Sequence, residues 1–125
     1  MNQWSRDFFG RPTIEDWARQ LDFTTKIFRA RGLHLEDRHV RNANGSGFSA
    51  SIVDTVLFLV NNHRRMRQSG SSLALYLPKI QTAEEAALWS DILTALEQQL
   101  DLPVGTTKVY VLVEQIEACF QLMEI

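Results

Sequence analysis

A run of five consecutive apolar residues, Leu73 to Leu77, constrains the fold of this chain more than any other feature. Pro78 follows the run directly, and Gly70 precedes it by three positions. Because the run is apolar on both faces, it is typical of a strand in a parallel sheet that helices cover. Apolar residues recur at helical spacing on either side of it, at residues 49–68 and 82–100. A buried strand between two helices is therefore predicted.

Two further short strands are predicted, at residues 26–31 and 107–113, and helical spacing returns at 115–125. Strands that alternate with helices form a parallel sheet through right-handed crossovers. The sequence thus predicts an α/β fold with about three parallel strands alternating with helices. Residues 32–47 are predicted to form a loop, because they are polar and end in a run of Asn, Gly and Ser.

The helices also predict which residues are buried. Thr82 and Glu85 form a capping box at the start of the second helix. The stripe predicted to face the core consists, in the first helix, of Ala50, Val53, Val56, Leu57 and Val60, widened by Ile52 and Leu59, and in the second of Leu88, Trp89, Ile92, Leu93, Leu96 and Leu100. Cys119 lies on the apolar face of the last helix and is predicted to be a core residue.

Composition limits the possible partners of the chain. It has 13 Lys and Arg against 15 Asp and Glu, so a nucleic-acid-binding arm is not expected. The longest nearly apolar run, residues 52–60, is too short to span a bilayer and contains Asp54. No signal peptide is apparent, and the single cysteine cannot form an internal disulfide, so a cytoplasmic location is expected.

Residues 1–25 are predicted to be a separate N-terminal segment with a short helix capped by Thr13, preceding a domain at 26–125.

Charged residues follow each predicted strand. Arg29 and Arg31 end the first strand, Lys79 follows the second, and Glu114 follows the third. The carboxyl ends of parallel strands meet at one edge of a sheet, where ligands collect. A carboxylate there can bind Mg²⁺, and a guanidinium can stabilise an oxyanion. The alternative is an ion pair of Glu114 with Lys79 or Arg29, which the spacing alone leaves open.

Other candidate sites carry weaker signals. His34 and His39 lie five residues apart in the predicted loop, with Glu36 and Asp37 between them. That spacing matches no complete zinc motif, and no thiolate accompanies it.

Five ordered segments resemble the malate synthase family. Residues 28–35, Phe-Arg-Ala-Arg-Gly-Leu-His-Leu, resemble its Arg-Pro-Arg-Gly-Trp-His-Leu segment, and residues 75–80, Leu-Tyr-Leu-Pro-Lys-Ile, resemble its Tyr-Leu-Pro-Lys-Leu segment. The other similar segments are residues 85–91, 102–114 and 118–125. The resemblance covers about residues 27–125 and leaves the first 25 unmatched.

The resemblance implies part of a (β/α)₈ TIM barrel that condenses glyoxylate with acetyl-CoA to form malate and CoA in the glyoxylate cycle. In that family a glutamate and an aspartate bind magnesium, an arginine stabilises the enolate, and a separate aspartate removes the methyl proton. Carried over by position, Glu114 matches the metal-binding glutamate and Arg29 the catalytic arginine. Arg31 and Lys79 are further candidates at the same edge.

The resemblance also shows departures from the family. The segments that carry the second metal ligand and the general base have no counterpart, and Gln81 and Gln115 replace the family's glutamate and threonine. The expectation is a truncated chain that is inactive alone. Two alternatives are a related Mg²⁺-dependent acyl-CoA lyase of the malyl-CoA or citryl-CoA type, and a non-catalytic remnant that self-associates through open sheet edges.

Overall fold

The computed structural model describes residues 25–125. The helix predicted near Thr13 lies outside this range. The elements are, in chain order, β1 (Phe28–Arg29), β2 (Glu36–Arg41), β3 (Gly47–Ser49), α1 (Ala50–Gln68), β4 (Ala74–Leu77), α2 (Ala83–Gln99), β5 (Lys108–Val111) and α3 (Ile116–Cys119).

Strands β1, β4 and β5 form a parallel sheet in the order β1-β4-β5. Helix α1 lies in the connection from β1 to β4, and α2 in the connection from β4 to β5. The predicted alternation of parallel strands and helices is therefore confirmed, as an open sheet of three strands rather than a closed barrel. The predicted self-association through the edges of this sheet stays a prediction.

The register of the sheet determines which side chains share a face. Phe28 pairs with Leu75, and Leu75 with Val109, while Arg29 pairs with Tyr76, and Tyr76 with Tyr110. Leu75 belongs to the buried core together with Leu59 of α1 and Trp89 of α2. Because successive side chains point to opposite faces of a strand, the row Arg29–Tyr76–Tyr110 lies on the face away from the helices.

The prediction of a loop at 32–47 is wrong for residues 36–41 and 47, because β2 and β3 form an antiparallel hairpin, whereas residues 32–35 and 42–46 lie outside the strands as predicted. Five of the six residues of β2 are exposed, so the strand has no apolar alternation that a sequence pattern could detect. Asp37 is its buried residue, and its carboxylate accepts hydrogen bonds from the backbone N–H groups of His39 and Val40.

The predicted buried face of α1 is also wrong in part. Leu57 and Val60 are 55% and 47% exposed, whereas Ser51, Thr55 and His63, which are not in the predicted stripe, are buried beside the predicted Leu59. These four residues recur every fourth position, so the helix is rotated relative to its most apolar stripe. The Nδ1 atom of the buried His63 ring forms a hydrogen bond with the carbonyl oxygen of Leu59, 2.9 Å away. This bond allows a polar residue to occupy the buried face.

Helix α2 agrees with its prediction more closely. The Thr82 hydroxyl accepts a hydrogen bond from the Glu85 backbone N–H at 3.2 Å, as the capping box requires. The Glu85 carboxylate bonds the backbone N–H of Gln81, one residue before the expected partner. Trp89 and Leu93 are buried, whereas Leu88 is 50% exposed, contrary to the prediction.

The last predicted helix is much shorter than expected. Helix α3 has four residues, and turns follow it to residue 124. Ala118 is its buried residue, and Cys119 is exposed, so the assignment of Cys119 to the core is wrong. Within the described chain, no helix is both long and apolar enough to cross a membrane.

Candidate active site

The carboxyl ends of β1, β4 and β5 bring the predicted residues to one edge of the sheet. Arg29 is the last residue of β1, and Lys79 follows β4 by two positions. The strand pairing continues past β5, because the Leu112 N–H donates to the Leu77 carbonyl oxygen at 3.0 Å. Glu114 follows two residues later, so it also lies at this edge.

The Arg29 side chain packs over an aromatic ring. Its guanidinium carbon, Cζ, lies 5.5 Å from the centroid of the Tyr76 ring, which is a cation–π distance. Among residues 25–125, no carboxylate forms a salt bridge with Arg29. No carboxylate of the described residues therefore neutralises its charge.

Arg31 has a different environment, although it lies only two residues away. Its Nη2 contacts Asp54 Oδ1 at 2.7 Å and Asp37 Oδ2 at 2.8 Å, and its Nε contacts Asp54 Oδ2 at 2.8 Å. Its backbone N–H bonds Asp54 Oδ2 as well. Because Asp54 lies in α1 and Asp37 in β2, this cluster ties the hairpin and the helix to the end of β1. Arg31 has a structural role in these contacts, and two carboxylates already neutralise it.

The contacts of the cluster shift its acid–base equilibria. The backbone N–H of Val40, then the Arg31 guanidinium, hold the pKa of Asp37 well below its usual range. The hydrogen bond from Arg31 likewise lowers the pKa of Asp54, and the two aspartates raise the pKa of Arg31. The two carboxylates are therefore stabilised in their charged form.

This cluster predicts a pH dependence of stability. A carboxylate with a lowered folded-state pKa stabilises the fold above its unfolded pKa, about 3.9, and this stabilisation is lost as the pH falls toward the folded value. We expect Asp54→Asn to reduce the slope of unfolding free energy against pH between about pH 5 and 3. Urea unfolding across this range measures it. Asp91→Asn, at an exposed position of α2, is the control, and equal slopes for all three proteins would contradict the expectation.

Glu114 is held by the backbone of Lys79 rather than by a side chain. The Lys79 N–H donates to Glu114 Oε1 at 3.1 Å. Lys79 has a φ of 60°, a left-handed conformation that non-glycine residues seldom adopt and that often marks functional sites. In the described part of the chain Glu114 forms no salt bridge with Lys79 or Arg29, so the ion-pair alternative is not observed.

The described residues supply only part of the oxygen donors that a divalent cation needs. Mg²⁺ takes six oxygen ligands and is commonly bound by one or two carboxylates together with water and substrate oxygens. Glu114 Oε1 accepts the Lys79 N–H, and Oε2 accepts no hydrogen bond in residues 25–125. Over the same residues, no group of three or more His, Cys, Asp or Glu could hold a metal ion. Glu114 therefore fits as one ligand of such an ion, and the described residues do not form a complete site.

A polar cavity of about 230 Å³ includes Lys79 in its lining, whereas Arg29, Arg31 and Glu114 do not line it. It is lined by Leu33, His34, Lys79, Gln81, Glu85 and Gln115. A larger cavity of about 370 Å³ lies between α2 and β5 on the helix side of the sheet and includes none of the predicted site residues. The smaller cavity is the one at the carboxyl edge, where ligands bind in parallel α/β folds.

Two features of this edge of the sheet are not predicted from the sequence. The first is the contact of Arg29 with the ring of Tyr76, because the apolar run predicts only a buried strand there. The second is the pairing of Arg31 with Asp37 and Asp54. A signal for it exists, because Asp54 is a charge within the nearly apolar run at residues 52–60, and a charge at such a position needs a partner.

Comparison with known proteins identifies the family. A family model described as the TIM barrel domain of malate synthase matches residues 25–125. This chain belongs to the malate synthase family. Malate synthases are enzymes of the acyltransferase type, and the TIM barrel of the matching family model agrees with the parallel strands and helices described above.

Individual malate synthases support this assignment. The chain is 39% identical over 99 residues to malate synthase A of Escherichia coli, and the matched region covers 79% of this chain and 18% of that protein. It is 31% identical over 140 residues to a malate synthase of Streptomyces clavuligerus, covering 98% of this chain and 26% of the relative. A bifunctional glyoxylate cycle protein of Caenorhabditis elegans is 44% identical over 97 residues. The chain therefore spans about a quarter or less of these relatives.

Proposed function

We propose that this chain supplies part of a malate synthase active site, for the magnesium-dependent condensation of glyoxylate with acetyl-CoA in the glyoxylate cycle of the cytoplasm. Arg29 is assigned to the enolate oxygen and Glu114 to the metal. The observation that carries the proposal is the difference between the two arginines at the edge of the sheet. Arg31 is neutralised by two carboxylates, whereas Arg29 has no carboxylate partner in residues 25–125.

The chemistry explains why a free guanidinium matters. The methyl protons of a thioester are very weakly acidic, so the enolate formed by their removal must be stabilised as its charge develops. A fixed cation near the thioester oxygen stabilises that charge more than it stabilises the neutral substrate, and thus lowers the barrier. A guanidinium already paired with carboxylates would offer much less stabilisation.

The carbon–carbon bond then forms between the enolate carbon and the aldehyde carbon of glyoxylate, and water cleaves the thioester to release CoA and malate. A bound Mg²⁺ would polarise the aldehyde as a Lewis acid. Glu114 is proposed as one of its ligands, with one carboxylate oxygen fixed by the Lys79 N–H and the other available.

The 125-residue chain alone is expected to show negligible malate synthase turnover. Among the described residues, Glu114 alone is assigned to the metal and none is assigned as the general base, and loss of a general base alone costs about 10²–10⁴-fold. Release of the CoA thiol from acetyl-CoA, glyoxylate and Mg²⁺ measures the turnover. Thiol release at an ordinary enzyme rate would contradict the proposal that this chain supplies only part of the active site.

A chimera tests the proposed function directly. Residues 25–125 would replace the matching segment of malate synthase A from E. coli, to which this chain is 39% identical. We expect the chimera to release thiol only when glyoxylate, acetyl-CoA and a divalent cation are all present. A chimera that folds, as shown by circular dichroism and native mass, but does not turn over would overturn the proposal.

A further inference from the structure

We propose that Tyr76 is a positioning residue for Arg29, holding the guanidinium over its ring so that the charge is fixed without being neutralised. The catalytic meaning of this contact rests on the proposed function. The contact itself does not, because it is defined by the strand register and the 5.5 Å distance from Arg29 Cζ to the ring centroid.

The Tyr76 ring is itself held in place. It lies in β4, the central strand of the parallel sheet, which is paired with β1 on one side and β5 on the other. Its neighbours Leu75 and Leu77 are 0% and 2% exposed and anchor the strand in the core. Because both flanking side chains point into the core, the Tyr76 side chain must stand on the opposite face. The sheet therefore presents an ordered ring beside Arg29.

Arg29 needs such support. It ends a strand of two residues at the edge of the described sheet, and its side chain is exposed. A long side chain in that position would sample many rotamers, and ordering it costs free energy. A carboxylate partner would order it but would also cancel its charge, as Asp37 and Asp54 do for Arg31.

An aromatic ring solves this problem differently. A guanidinium stacks on an aromatic face through its plane, which leaves the N–H groups at its edge free to donate to an anion. The contact fixes the position of the cation, yet adds no negative charge that would compete with an enolate oxygen. Tyr76 thus supplies the preorganisation that electrostatic catalysis requires.

Chemical modification of the arginines tests the proposal on the full 125-residue chain. Phenylglyoxal modifies free guanidinium groups, and peptide mass spectrometry follows each arginine separately. We expect Tyr76→Leu to raise the modification rate of Arg29, relative to that of exposed Arg64, by about two- to five-fold. This factor corresponds to the free energy of one exposed cation–π contact. Tyr76→Phe keeps the ring and should keep the wild-type rate.

Two controls separate positioning from a general loss of structure. Tyr110→Leu alters the next ring in the same row, beyond Tyr76 from Arg29, and should leave the Arg29 rate unchanged. Arg31 is held by Asp37 and Asp54, so its slow modification reports an intact fold in every variant. An unchanged Arg29 rate in a folded Tyr76→Leu protein overturns the proposal.

If Tyr76→Leu unfolds the chain, the wild-type and Tyr76→Phe proteins decide the question by NMR. Protons above an aromatic face shift upfield, so the Arg29 side-chain protons should resonate upfield of those of Arg64 in both proteins. Arg29 resonances that match those of Arg64 would overturn the proposal. Neither measurement uses substrate, so the positioning contact and the proposed function can fail independently.

Discussion

Alanine in place of Arg29 is expected to lower the turnover of the chimera by about 10²–10³-fold, the usual cost of removing a fixed group that stabilises a developing oxyanion. The loss should appear equally in kcat and kcat/KM, because an enolate exists only after the proton has left. Thiol release at varied acetyl-CoA concentration separates these two quantities.

Two matched variants sharpen this test. Arg29→Lys keeps the positive charge but loses the planar donor geometry, and should recover only part of the rate. Arg64→Ala removes an exposed arginine from the C-terminal half of α1 and should leave turnover unchanged. A folded Arg29→Ala chimera with the turnover of the parent would show that the free guanidinium at the edge of the sheet is not used.

The architecture was predictable because its main elements have local signatures. The apolar run of β4 and the capping box of α2 depend on residues a few positions apart, and the structure confirms both elements. The hairpin of β2 and β3 has no such signature. It depends on cross-strand pairing and on the buried Asp37 carboxylate, neither of which produces an apolar pattern in a polar stretch.

The distinction between the two arginines could not be predicted. Arg29 and Arg31 are equivalent in residue type and in position at the end of the first strand. What separates them is Asp54, which lies 23 residues from Arg31, and the register that places Tyr76 beside Arg29. Strand ends predicted the edge at which the chemistry lies, whereas long-range contacts determine which charge stays available there.

A second large effect is expected at Glu97, a buried carboxylate that is not assigned to catalysis. Glu97 is 3% exposed in α2. Its Oε2 accepts the Gly105 N–H at 2.7 Å, and its Oε1 accepts the Thr107 N–H at 2.6 Å. These two bonds hold the segment that leads from α2 into β5, and β5 in turn leads to Glu114.

Glu97→Ala is expected to lower the free energy of unfolding by about 3 kcal/mol, because hydrogen bonds to a charged group contribute about 1.5–3 kcal/mol each and two backbone N–H groups would lose their acceptor. Glu97→Gln should cost less, since its amide oxygen can still accept one of the two bonds. Urea unfolding followed by circular dichroism measures both. Gln98→Ala, at the exposed neighbouring position, controls for the change in helix propensity, which is small for Gln to Ala. Equal unfolding free energies for Glu97→Ala and Gln98→Ala would show that the Glu97 carboxylate does not hold the segment between α2 and β5. The position of Glu114 would then depend only on the strand pairing and on its hydrogen bond with the Lys79 N–H.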